Sequence, residues 1–234
     1  MGKWLHVFSF KIVLLSLLAS LPAEATEPFR LYGSEAIYSV ERKGKTIGEY
    51  RLAFRAQPDD RLVVNVSMQL QLRYLGLFKY DFSYRAEEVW QAADRLVAMQ
   101  VSIDDDGGTH SYRIERRSDG LYRLSGDTDA VRLGDTLLTS NHWHSGLVEQ
   151  SRLINTLTGE VSRLNVVLQG EERIQIGARQ VRARRYHLGG ELEDTLSWYD
   201  EQGRWLGMEF SARDGSRIRL RLQPDAELAE REKP

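Results

Sequence analysis

The sequence predicts an all-β protein, built as one antiparallel meander that curls into a barrel, half barrel or sandwich and carries one short helical insertion. Three observations predict this class. Apolar and polar residues alternate with a period of two, turn residues recur about every eight to twelve positions, and the 3.6-residue period of helices is almost absent. The clearest alternation places these apolar residues on one strand face: Val64, Val66, Met68, Leu70 and Leu72.

Six strand segments are predicted in the first half of the chain. Lys43-Gly44-Lys45 is the turn after the first segment, and Pro58-Asp59-Asp60 follows the second. The run Asp104 to Gly108 is also a turn. Its aspartates lack the alternating ligand spacing and distal glutamate of a calcium loop, so a solvated turn is the favoured interpretation. The segments are 36–42, 47–56, 64–73, 78–86, 97–103 and 112–114.

Seven shorter segments are predicted in the second half. Glycine and aspartate turn signals separate them, as expected for a sequential meander. In the run Trp198 to Gly203, Asp200 is expected to accept hydrogen bonds from backbone N–H groups two residues on, and Gly203 is expected to occupy a left-handed position. The segments are 153–157, 164–168, 174–176, 181–188, 194–199, 205–212 and 217–222.

The stretch Leu137 to Gly146 interrupts the strand pattern and divides the chain into two strand-rich halves. Ser140 or Asn141 is expected to cap a short helix that continues through Leu147 and Val148. Trp143 is flanked by two of the five histidines of the chain. Three interpretations stay open: a structural loop with Trp143 buried as an anchor, a polar cavity mouth, and a metal site. The polar mouth would consist of Asn141, His142 and His144.

No metal or other cofactor is predicted, because two histidines do not complete a metal site. No catalytic residue is predicted either: the chain lacks a Gly-x-Ser-x-Gly elbow, a His-Glu-x-x-His motif, a phosphate-binding glycine loop and a cysteine nucleophile. An enzyme therefore has no positive support. Arg217, Arg219 and Arg221 alternate with apolar residues, which favours a solvent-facing sheet surface paired with acidic neighbours over an anion site.

Residues 1–25 have the pattern of a secretory signal peptide. Lys3 and Lys11 flank or precede a short apolar run, and Ala23-Glu24-Ala25 is a typical cleavage site. The apolar run is shorter than the roughly 20 residues of a spanning helix, so no transmembrane segment is expected after cleavage. The mature protein is predicted to be periplasmic or secreted and to begin at Thr26. N-terminal sequencing of the purified protein checks this cleavage, and a retained Met1 in a membrane fraction would contradict it.

The remaining chain is predicted to form a single β domain over residues 26–223, followed by a charged, flexible tail at 224–234. There is no cysteine, so the domain is held by its core without disulfides. Formal net charge is −2, and removing Lys3, Lys11 and Glu24 with the signal peptide leaves −3. This near-neutral balance gives no electrostatic reason to expect nucleic acid as a partner.

The chain resembles an exported bacterial family known as domain of unknown function 6134, which is similar to family 3108. Turn and strand signatures carry the resemblance over most of the mature chain. It implies an all-antiparallel β protein with no established activity. In architecture alone, the chain is also similar to the periplasmic lipoprotein carriers LolA and LolB, whose curved sheet encloses an apolar cavity. The residues that carry the family resemblance are Tyr38-Ser39-Val40, Gly44, Ile47, Gly48, Trp143, Trp198-Tyr199-Asp200 and Gly203.

Two function classes follow from the aromatic residues. In the first, a curved sheet carries an apolar cavity that binds a lipid or another apolar ligand, with Trp143 as part of a lid. In the second, the same side chains fill a packed core and the protein is a structural or protein-interaction module of the periplasm. An exposed aromatic wall would form an apolar patch of several hundred Å², which soluble monomers seldom tolerate. The candidate ligand-binding residues are Phe78, Tyr80, Phe82, Tyr84, Trp90 and Trp143.

Overall fold

Within the residues that it describes, the computed structural model shows fourteen strands in a single antiparallel sheet. It describes residues 23–74, 78–125, 130–192, 194–212 and 214–224. A helix, α1 (Ala23–Tyr32), precedes the sheet, and a short 3-10 helix (Ser145–Glu149) lies between β8 and β9. The strands are β1 (Glu35–Arg42), β2 (Lys45–Gln57), β3 (Arg61–Tyr74), β4 (Phe78–Gln91), β5 (Arg95–Asp105), β6 (Gly108–Arg117), β7 (Gly120–Leu124), β8 (Val131–Gly134), β9 (Arg152–Asn155), β10 (Glu160–Ile176), β11 (Arg179–Gly190), β12 (Thr195–Asp200), β13 (Trp205–Ser211) and β14 (Arg217–Leu222).

The sheet consists of two meanders that meet where the first and last strands pair. β1 pairs antiparallel with β14, with Tyr38 opposite Leu222 and Val40 opposite Leu220. From this seam, β2 to β8 extend in one direction and β13 to β9 in the other. The all-β class and the antiparallel meander are therefore confirmed. The sheet is not closed, because its edges are β8 and β9.

Side chains bridge the gap between the two arms of the sheet. The Tyr112 hydroxyl on β6 donates to the Thr156 carbonyl at 2.7 Å, and Arg123 on β7 donates to the Thr158 carbonyl at 3.3 Å. Both carbonyls belong to the turn between β9 and β10. The sheet thus has the curvature of a barrel, and these contacts join its two arms without a continuous backbone ladder.

The main core lies on the concave face of the sheet. Period-two alternation places the buried Tyr84, Ala86 and Trp90 of β4 on this face, as the sequence pattern predicts. Helix α1 covers one end of the face, where Tyr32 stacks on Phe54 with ring centroids 5.1 Å apart. In the helices that the structure describes, no segment is long and apolar enough to cross a membrane.

Several predicted elements differ from the observed ones. Residues 164–168 and 174–176 belong to one long strand, β10, which stays continuous because its ladder with β11 absorbs a bulge between Leu168 and Gly170. Strands β7 and β8 were not predicted, since each is short and lacks a clear alternation. The predicted cap of the helical insertion is also wrong: His144, not Ser140 or Asn141, caps a 3-10 helix, because its ring accepts from the Gly146 N–H.

Other predictions are confirmed locally. Asp200 Oδ1 accepts from the backbone N–H groups of Gln202 and Arg204, each at 2.9 Å, and Gly203 has a φ of 88°. The predicted signal peptide lies outside the described residues except for its last three positions, 23–25. The predicted tail also lies outside them, apart from Pro224.

Gly48 and Gly44 provide a test of the β1–β3 packing. A Cβ at Gly48 would lie 1.9 Å from the Gln69 carbonyl oxygen of β3, whereas Gly44 has open space around it and a φ of 74°. We expect Gly48→Ala to lower the free energy of unfolding by about 2 kcal/mol or more, because backbone must move.

Gly44→Asn is the control for this substitution. Asparagine tolerates a left-handed conformation, so its effect should stay below about 1 kcal/mol. Urea unfolding followed by tryptophan fluorescence measures both variants. Equal stability of the two variants would contradict the close approach of β2 and β3 at Gly48.

Candidate functional site

The central segment, residues 135–151, crosses the concave face and is tied there through its own backbone. Three consecutive carbonyls accept hydrogen bonds from tyrosine hydroxyls of separate elements. Tyr50 of β2 donates to Asn141 at 3.1 Å, Tyr199 of β12 to His142 at 3.0 Å, and Tyr32 of α1 to Trp143 at 2.7 Å. The segment is therefore held by both arms of the sheet and by the helix.

Burial keeps these hydroxyls protonated. Desolvation raises the pKa of Tyr32, Tyr50 and Tyr199 well above the usual value for tyrosine. Tyr32 also accepts from the Trp205 N–H at 2.9 Å, and Tyr38 donates to the Trp205 carbonyl at 2.9 Å. Each hydroxyl is thus a fixed donor, and the carbonyls of residues 141–143 have partners although no strand is paired with them.

The buried carboxylate of Glu88 on β4 also holds the central segment in place. Its Oε2 accepts from the indole N–H groups of Trp90 and Trp143, both at 2.9 Å, and its Oε1 accepts from the Asn141 amide at 2.6 Å. Desolvation raises the pKa of Glu88, and the hydrogen bonds from its donor neighbours oppose that shift. The Asn141 oxygen accepts in turn from the Tyr84 hydroxyl at 2.9 Å. Sheet and central segment therefore share one polar centre.

The two histidines of the central segment lie in different surroundings. His142 stacks on Trp205 at 5.2 Å, its Nδ1 lies 3.2 Å from the Ser197 hydroxyl, and burial lowers its pKa to about 4. His144 lies against Trp90 and Trp143, and its pKa is also lowered by burial. Among the described residues, no group of three or more potential ligands is placed to hold a metal ion.

The predicted site residues divide into a buried group and a partly exposed group. Tyr84, Trp90, Trp143 and Asn141 meet around Glu88 and are buried. Tyr80 and Phe82 lie further along β4 and are half-buried, whereas Phe78 begins the strand opposite Tyr74. His142 is buried against β12 and β13, and His144 is partly buried beside Trp90 and Trp143. The buried group anchors the central segment.

Glu88 is the central residue that sequence reasoning missed. The predicted strand stopped at Ala86, but the observed β4 continues to Gln91. Extending the period of two places Glu88 on the same face as Tyr84 and Trp90. The sequence does carry a signal for Glu88: it is a carboxylate at an inward position of an otherwise apolar strand face. Such a group is buried only when hydrogen-bond donors surround it.

The end of the concave face opposite α1 differs from the covered end. In β2, β4 and β13, the residues near α1 are buried: Phe54, Trp90 and Trp205. At the far ends of these strands and of β3, large apolar side chains pack against the core but stay half-exposed. We call this set the open rim; it consists of Ile47, Leu70, Phe82, Met208 and Phe210.

Polar groups close to the open rim are already engaged. The Tyr80 hydroxyl donates to Asp105 at 2.7 Å, and Arg42 donates to the Ser216 hydroxyl at 2.7 Å and pairs with Asp214. The rim therefore presents mainly carbon atoms to its surroundings. An apolar ligand matches this surface better than a polar one.

The role of Glu88 is testable by Glu88→Gln, with the exposed neighbour Glu87→Gln as the control. An amide has a single acceptor oxygen, so at least one of the buried Trp90, Trp143 and Asn141 donors loses its partner. We expect a loss of about 1–3 kcal/mol in unfolding free energy for Glu88→Gln and little change for Glu87→Gln. Urea unfolding at pH 7 measures both; equal midpoints would refute the anchoring role.

The buried His142 predicts a pH dependence of stability. Its folded pKa of about 4 lies below the unfolded value of 6.5, so its contribution is complete above pH 6.5 and is lost as the pH falls toward 4. The loss should be of the order of 2 kcal/mol. In His142→Asn, which tolerates the φ of 60°, the loss of stability between pH 7 and pH 5 should be smaller.

His110→Asn is the control for this pH dependence, because His110 is exposed. Glu88 has the opposite effect on the pH dependence of stability, and it does so equally in the unmodified protein and in both variants. Its pKa is raised in the folded state, so its protonation at low pH favours folding. Denaturant midpoints at pH 7, 6 and 5 give the slopes. If the stability of His142→Asn falls with pH as steeply as that of His110→Asn, then His142 does not titrate as its burial requires.

Comparisons with known proteins agree with this architecture. A solved structure titled as a β-barrel-like protein of domain of unknown function DUF1849, from Brucella abortus, superposes with a TM-score of 0.57 at 9% sequence identity. The superposition covers 80% of this chain and 94% of that one, and it supports the fold alone. No curated protein matches the sequence. The likenesses to family 3108 and to LolA and LolB stay predictions. The family described as "Domain of unknown function (DUF6134)" matches residues 38–223, and this chain belongs to it.

Proposed function

We propose that this protein binds a flexible apolar ligand, such as the acyl chain of a lipid, at the open rim of its concave face. The observation that carries the proposal is the contrast between the two ends of that face. One end is closed by α1 and the central segment, and the other leaves five large apolar side chains only partly buried by the described residues. Soluble proteins seldom keep such a patch without a ligand or a partner.

The chemistry of the rim supports a flexible apolar ligand. Met208 is unbranched and adapts to irregular shapes, and Phe82 and Phe210 offer flat apolar surfaces. The nearby Arg42 and Tyr80 are held by acidic and hydroxyl partners, so they offer no free charge for a polar ligand. The proposed location is the periplasm or the exterior of the cell, and it rests on the predicted signal peptide.

The proposal changes the role predicted for Trp143 and Trp90. Both are almost fully buried, at 3% and 0% exposure, and both donate to Glu88. They support the closed end of the face instead of contacting ligand. Phe82 remains in the proposed site with Tyr80 beside it, and residues of β2, β3 and β13 join them.

The test measures binding of the neutral apolar dye N-phenyl-1-naphthylamine by fluorescence. Leu70→Gln and Met208→Gln place a polar group at the rim on two separate strands, β3 and β13. Each should weaken dye binding about fivefold, because part of an apolar contact is lost. Leu168→Gln is the matched control, since Leu168 is 55% exposed and lies outside the rim.

Native mass spectrometry of the purified protein tests for a bound lipid directly. A protein that carries no lipid and takes up no dye would favour the alternative, a structural or interaction module with a packed core. Equal dye binding by Leu70→Gln, Met208→Gln and Leu168→Gln would place the binding surface elsewhere and would refute the open rim as the site.

A further inference from the structure

A cleft of about 250 Å³ lies on the convex face of the sheet, away from the central segment and the open rim. It forms because the β10–β11 hairpin continues beyond the bulge at Gly170 and crosses the outer surfaces of β12 to β14. The tip of the hairpin contacts the residues that follow β14. A Cβ added at Gly177, in this tip, would lie 2.8 Å from Pro224. The Trp198 indole also donates to Glu172 of β10 at 2.5 Å.

The floor of the cleft is a gap in a row of side chains. Trp198, Gly207 and Arg221 lie side by side on β12, β13 and β14. Gly207 adds no side chain between the indole and the guanidinium, and a Cβ there would lie 2.2 Å from the Leu220 carbonyl oxygen. The cleft therefore has an aromatic wall on one side and a cationic wall on the other, with a backbone floor between them.

Positive charge exceeds negative charge around this cleft. Arg219 is paired with Glu209, Arg221 with Glu41 at 3.4 Å, and Arg185 with Glu172 at 3.5 Å. Arg173 lines the cleft as well, and within the part of the chain that the structure describes it forms no ion pair. One guanidinium thus remains without a compensating carboxylate.

A buried guanidinium donor lies beside the cleft, on the far side of Trp198. Arg185 Nε is buried and makes no hydrogen bond to the described residues, whereas Arg221 Nε is buried with Glu41 Oε2 at 3.4 Å as its ion-pair partner. Both arginines belong to the row that contains Trp198, because Arg185 pairs with Trp198 across β11 and β12. Buried donors without acceptors are rare in folded proteins, so the Arg185 donor adds to the cationic character of this row.

We propose that this cleft binds a small organic anion, with its carboxylate or phosphate group at Arg173 and Arg221 and its flat apolar body on Trp198. Guanidinium groups match the planar oxygens of both anions, and an indole face gives a flat body a large contact area. The volume suits a molecule smaller than a typical drug. This site is independent of the proposed apolar ligand, because it lies on the opposite face of the sheet.

Isothermal titration calorimetry with three probes tests the site. Benzoate and phenyl phosphate share a flat apolar body and differ in the anion, and benzyl alcohol is the neutral control. We expect saturable binding of at least one anion and none of the alcohol. The anion that binds more tightly identifies the class.

Arg173→Gln should weaken anion binding about tenfold, because a charge-assisted contact is lost. Folding should be unaffected, since Arg173 has no ion-pair partner in the described chain. Arg113→Gln, an exposed arginine on β6, is the matched control and should leave binding unchanged. Trp198→Leu should weaken binding of both anions, since it removes the flat contact surface.

The outcomes separate this proposal from the apolar ligand. Leu70→Gln should leave anion binding unchanged, and Arg173→Gln should leave dye binding unchanged. Absence of saturable binding by both anions, or equal binding by Arg173→Gln and Arg113→Gln, would overturn the anion site.

Discussion

The burial of the central segment requires partners for its backbone, and this requirement organises the concave face. An unpaired buried carbonyl costs free energy comparable to a lost hydrogen bond. The segment has no strand partner at Asn141, His142 and Trp143, so tyrosine hydroxyls from β2, β12 and α1 take that role. Because these elements belong to different parts of the sheet, one short segment links the two arms and the helix.

The same segment explains how an open sheet behaves as a barrel. β8 and β9 are the sheet edges and are also neighbours along the chain. The segment that connects them passes through the interior, where the Ser140 N–H donates to the Ile154 carbonyl of β9 at 3.0 Å. On the other arm, Asn141 is bound to Glu88 and Tyr84 of β4. The interior contacts therefore join the two arms that the backbone ladder leaves apart.

Sequence periodicity predicted which face of each strand points inward but not what that face contacts. The alternation through Phe82 and Tyr84 correctly indicated a shared inward face, and the burial of Trp143 agrees with one of the three interpretations open for the central stretch, a buried anchor. The partner of Trp143 was not predictable, because Glu88 is 55 residues away and period two carries no information on distant pairs. The same limit applies to β10, whose bulge is absorbed only by its pairing with β11.

The local turn chemistry was predictable for a different reason. Asp200 and Gly203 act within a few residues of each other, so their spacing in the sequence already contains the geometry. His144 also acts locally, but its cap was missed because histidine is not among the preferred N-cap residues. Predictions thus succeeded where the deciding contact is local and of a common kind.

The distribution of polar and apolar contacts separates the residues that stabilise the fold from those of the proposed apolar site. Around Glu88 and the tyrosines, removing one partner leaves other buried groups unsatisfied, so changes there destabilise the closed end of the face. At the open rim, Leu70 and Met208 are half-exposed and belong to no such network. The rim side chains are therefore outside the network that holds the central segment, as the proposed apolar site requires.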